Sequence, residues 1–77
     1  MNKNMVDVTL HINEMVEYEK REAIQDELRE INGVMVAVSH DEKPHMMFVG
    51  YDPLLTNSMD ILDCIRNHGL KAQLVGL

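Results

Sequence analysis

Apolar residues at every second position, Val6, Val8, Leu10 and Ile12, alternate with Asp7, Thr9 and His11, the pattern of a half-buried strand. The same period of two returns at Val34, Val36 and Val38, and again at Met47, Val49 and Tyr51. Between the first two runs the period lengthens. Residues 14–32 are rich in charge, with Ile24, Leu28 and Ile31 at the i, i+4, i+7 spacing of one helix face. Asn13 is placed to cap this helix, Glu14 and Glu17 suit the positive end of its dipole, and Asn32-Gly33 ends it. Asp41-Glu42-Lys43-Pro44 reads as a four-residue hairpin loop leading into a third strand over residues 45–51, which Asp52-Pro53 stops. Thr56-Asn57-Ser58 supplies caps for a second helix with a buried stripe of Ile61, Leu62 and Ile65, closed near His68 and Gly69. Residues 71–77 form a fourth strand with Ala72 and Leu74 inward.

The order β-α-β-β-α-β in 77 residues predicts one α+β domain spanning residues 1–77. Short connections and right-handed crossovers make it a ferredoxin-like βαββαβ sandwich, a four-stranded antiparallel sheet with both helices on one face. So small a domain has a thin core. The net charge of −6 leaves no basic stripe for phosphates, so no nucleic acid is expected as a partner. RNA-binding domains of this topology stack bases on sheet aromatics, and here Phe48 alone qualifies. No apolar run approaches the roughly 20 residues that span a bilayer, so no membrane partner is expected. The N-terminal residues lack the apolar stretch of a signal peptide. The single cysteine, Cys64, allows no internal disulfide and suits a reducing compartment, giving a cytoplasmic expectation. No nucleophile stands beside a base and no glycine-rich phosphate loop is present, so the chain does not read as an enzyme.

Gly33-Val34 after the first helix, Val49-Gly50-Tyr51-Asp52-Pro53 at the end of the third strand, Ile61-Leu62 with Ile65 and Gly69, then Ala72 and Leu74, resemble the heavy-metal-associated domain. That family includes copper chaperones and the cytosolic modules of copper-transporting ATPases, and the resemblance runs from about Val6 to Leu77. It implies a metal loop of the form Met-x-Cys-x-x-Cys between the first strand and first helix. Counted back from Gly33-Val34, the motif falls on Met15-Val16-Glu17-Tyr18-Glu19-Lys20. The methionine is kept, but Glu17 and Lys20 stand where the resemblance implies cysteines. Two thiolates grip Cu(I) because soft sulfur suits a soft ion; a carboxylate is hard and an ammonium repels the metal. Glu17 and Lys20 are instead spaced to pair with each other. No cofactor is therefore expected at the inherited site.

Other residues keep a transition metal ion (Cu, Zn or Ni) as an alternative. His40 and His45 flank the hairpin, and as opposite residues their Cβ atoms would lie about 5 Å apart. With Asp41 or Glu42 they form a candidate set, to which Met15 and Glu17 are added; ordinary loop polarity is the plainer account. The seven methionines read as core filler or as an adaptable surface. Cys64 reads as a small helical hydrophobe. The alternation sends Val6, Val8, Val34, Val36, Met47 and Val49 toward the helices. It leaves Met35, Ala37, Met46, Phe48 and Val75 on the open face, where an antiparallel sheet normally turns polar. An apolar open face points to a protein partner or a homo-oligomer. The function expected is thus a non-enzymatic binding module working through protein–protein contacts or self-association, with metal binding or homeostasis through substituted His, Met and carboxylate ligands as the alternative.

Overall fold

The computed structural model describes residues 5–75. The chain runs β1 (Val6–Ile12), α1 (Tyr18–Glu30), β2 (Val34–His40), β3 (Lys43–Tyr51), α2 (Ser58–Arg66) and β4 (Ala72–Val75). The four strands form one antiparallel sheet in the order β2-β3-β1-β4. This is the ferredoxin-like α+β architecture that the alternation of periods predicts.

The core forms where the inward phase of the sheet meets the two helix stripes. Val8, Leu10, Ile12, Met47, Val49, Tyr51 and Ala72 pack against Ile24 and Leu28 of α1 and Ile61, Leu62 and Ile65 of α2. Asn57 is the residue that caps α2, its side-chain oxygen accepting from the Asp60 N–H at 2.9 Å.

The structure departs from the sequence expectation at three local points. The first helix begins at Tyr18 rather than at Glu14, and Glu17 stands at its N-cap without a side-chain capping bond. Asn13 does not cap it. The Asn13 N–H donates to the Lys71 carbonyl at 2.8 Å, and the Glu14 carboxylate accepts from the Lys71 N–H at 2.9 Å. These bonds carry the β1–β4 pairing one step further and hold the chain out of a helix, while Val16 turns in and is buried.

Asp41 and Glu42 alone form the hairpin turn, and His40 lies opposite Lys43. Pro44 is inside β3, tolerated where the β2–β3 register shifts between Val38 and His40 and no ladder N–H is required.

The third departure moves two predicted residues to the opposite face. Val34 lies opposite Tyr51, yet Val36 lies opposite Gly50, one residue further along β2 for the same step on β3. This β-bulge inverts the side-chain phase beyond it. Ala37, expected on the open face, is therefore fully buried opposite Val49, and Val36, expected inside, is 43% exposed. Arg29 of α1 fastens the bulged strand, donating to the Ala37 carbonyl at 2.7 Å.

Gly33 makes the return from α1 possible, with φ of +106°. A Cβ there would come within 2.7 Å of the Leu55 Cβ. Gly33→Ala should therefore lose about 3 kcal/mol from combined backbone strain and overpacking, read as a shift in the denaturant midpoint without a change in slope.

Candidate functional site: the first loop and the open sheet face

The loop between β1 and α1 is closed by one side chain that the sequence reading passed over. Arg21 continues the α1 stripe Arg21, Ile24, Gln25, Leu28, and its side chain is only 7% exposed. Its Nε donates to the Val16 carbonyl at 3.2 Å, its Nη2 to Asp41 Oδ1 at 2.8 Å and its Nη1 to Ser39 Oγ at 3.5 Å. Ser39 Oγ passes the chain on to Gln25 Oε1 at 2.6 Å, and Gln25 Nε2 donates to Glu22 Oε2 at 3.1 Å. The guanidinium also sits 5.9 Å from the centre of the Tyr18 ring. One planar cation with several fixed donors thus ties together the first loop, the first helix, β2 and the hairpin tip.

The residues proposed to hold metal are not gathered here. Met15 is 73% exposed and Glu17 is exposed at the helix entrance. No ion pair joins Glu17 to Lys20 among the described residues. His40 and His45 do not face one another. The His40 ring packs on Phe48 with centroids 5.7 Å apart, while the His45 ring stacks on His11 at 5.9 Å with an interplanar angle of 15°. The Ile12 carbonyl only accepts, so His45 Nδ1 carries the proton that bonds to it at 2.9 Å. Among the described residues, no three His, Cys, Asp or Glu side chains are grouped so as to hold a metal ion. A hard carboxylate, an exposed thioether and a buried guanidinium beside the loop do not fit Cu(I).

Electrostatics elsewhere are structural. The Lys71 N–H bond holds the Glu14 carboxyl below its ordinary value. Burial, followed by the nearby Glu27 carboxylate, pushes the Cys64 thiol up, away from the thiolate form. His68 Nε2 approaches Glu27 Oε2 to 2.8 Å between the helices.

On the open side of the sheet, Val38, Phe48, Thr9 and Val75 lie directly opposite one another across all four strands. On one side of this row runs Val36–Gly50–Asp7, and on the other Met46–His11–Gln73. Only Asp7 of these ten residues is charged. Gly50 leaves room for Met5 to lie over the sheet, since a Cβ there would meet the Met5 sulfur at 3.2 Å. Met46, Phe48 and Val75 of the predicted surface are therefore on this face. Met35, at the bulge beside it, is 52% exposed, and Ala37 is replaced there by Val36 and Val38.

These features define a ferredoxin-like domain with a self-closed first loop and an apolar sheet face. More specifically, the chain has the fold of the heavy-metal-associated domains. The copper binding domain from HMA7, a P-type ATPase, superposes with a TM-score of 0.81 at 21% identity, covering 91% of this chain and 93% of that one. Oxidized MerP from Ralstonia metallidurans CH34 gives a TM-score of 0.82 at 15% identity, with 94% and 99% covered. A Bacillus anthracis str. Ames protein described as copper-ion-binding gives 0.82 at 24% identity, with 94% and 100% covered. No family model matches the sequence, and no curated protein does.

Proposed function

We propose that this domain is a non-enzymatic interaction module that has the heavy-metal-associated fold without its thiolate site, and that it self-associates in the cytoplasm through its open sheet face. The observation that carries this reading is the uncharged, largely apolar row Val38–Phe48–Thr9–Val75 on the side of the sheet that neither α1 nor α2 covers.

Charge distribution is compatible with a second copy as the occupant of the sheet face. Seven of the thirteen carboxylates lie between Glu14 and Glu30, against only Lys20, Arg21 and Arg29. This acidic belt is on the helical layer. Helix-to-helix association would press two such belts together, whereas sheet-to-sheet association keeps them outside. Two stacked sheets lie about 10 Å apart, and a helix layer adds about 10 Å on each side, so the belts would be about 30 Å apart. That is several Debye lengths at physiological salt, where the length is about 8 Å, so the net charge does not prevent pairing.

Sedimentation velocity over a dilution series tests the reading. A concentration-dependent monomer–dimer equilibrium supports it, and a monomer at every concentration refutes it.

A further inference from the structure

Three of the four histidines lie on or beside the face proposed for self-association, His11 in its outward phase and His45 and His40 through their ring contacts with His11 and Phe48. His11 lies in the outward phase of β1 between Met46 and Gln73, His45 stacks on it at 5.9 Å, and His40 packs on Phe48 at 5.7 Å. Histidine is the side chain whose charge ordinarily changes between pH 8 and 5. An apolar face studded with imidazoles is neutral and buriable in one state, and cationic in the other.

The surroundings offer His11 and His45 little compensation, whereas His40 has carboxylates beside it. Met46 and Gln73, which flank His11 on the neighbouring strands, are neutral, and its Nδ1 is buried with no hydrogen-bond partner among the described residues. Asp7, four residues back on β1, is the nearest carboxylate in the same outward phase. His45 Nδ1 is committed to the Ile12 carbonyl, and Lys43, two residues before it, is a cation. His40 faces Lys43 across the hairpin and lines an open basin with Tyr18, Ser39, Asp41 and Glu42, so its charged form has the Glu42 carboxylate and the Arg21-paired Asp41 on one side and the Lys43 cation on the other. Charging His11 and His45 together sets two cations about 6 Å apart on each copy, and a second copy doubles them within one interface.

We propose that His11, His40 and His45 make self-association through the sheet face pH-gated, with the dimer formed when they are neutral and released when they are protonated. This rests on the self-association reading and adds its control. Burying an unpaired charge costs far more than burying a neutral imidazole, and protonated histidine clusters separate interfaces for that reason.

Sedimentation equilibrium at constant ionic strength, from about pH 8 to about pH 5.5, tests the gate. The dissociation constant should rise by about tenfold or more across that range. The triple variant His11→Gln, His40→Gln, His45→Gln should remain dimeric throughout, while His68→Gln, altered between the helices, should keep the full response. His40→Gln alone, which changes the ring packed on Phe48, should weaken the response if the triple variant does not fold. A dimer whose affinity is unchanged down to pH 5.5 overturns the gate but leaves self-association standing, as does a triple variant that dissociates like the parent. A protein that is monomeric already at pH 8 overturns the self-association reading itself.

Discussion

Arg21→Ala should lower the stability of this domain by about 3 kcal/mol and its melting temperature by about 15 °C. The expectation follows from what the guanidinium holds. It is nearly out of solvent and donates to Val16, Ser39 and Asp41, joining four parts of the chain. Alanine removes these bonds, opens space beneath Tyr18 and leaves the Val16 carbonyl without this partner. Lysine would keep the charge but lacks the planar fork, so Arg21→Lys should recover only a small part of the loss. Asp41→Asn supplies the contrast. The Asp41 side chain is 79% exposed, and a pair with one partner in water contributes little, so this variant should cost less than about 1 kcal/mol. Thermal melts followed by circular dichroism separate these outcomes. If Arg21→Ala melts within a few degrees of the parent, the arginine does not organise the first loop.

On the proposed self-association, Phe48→Asp should leave a folded monomer, raising the dissociation constant by about a hundredfold or more. Phe48 lies mid-row between Val38 and Thr9, with the His40 ring beside it. A carboxylate there meets its own copy or the apolar neighbours of the second chain, and neither supplies a partner. Because Phe48 points away from the helices, the monomer should keep its thermal transition within about 1 kcal/mol. Leu54→Asp is the control, since Leu54 is 78% exposed in the β3–α2 connection and lies outside the row. It should leave association unchanged. Dimerisation that survives Phe48→Asp would place the interface elsewhere.

The fold was legible because two periodicities fix its elements. Val8, Leu10 and Ile12 can be buried together only on a strand, and Ile61, Leu62 and Ile65 only on a helix. What escaped depended on single residues added or bonds made at a distance. The bulge at Met35 and Val36 has no signal in an unbroken run of β-formers, yet it sends Ala37 to the core and Val36 to the surface. The late start of α1 depends on Lys71, 57 residues away from Glu14. Arg21 was hidden by its charge, although its spacing from Ile24, Gln25 and Leu28 already placed it on the buried stripe. The pairing of His45 with His11 rather than with His40 followed from a two-residue turn that Pro44 made look longer.

On the proposed function, the first loop is a structural element closed by Arg21 and the open sheet face is the working surface. Native mass spectrometry of the purified protein, with and without added Cu(I), tests both parts together. The expected result is a dimer whose mass and population do not change when Cu(I) is added. A stoichiometric Cu(I) adduct that survives a competing chelator, on a protein that remains monomeric, would contradict it.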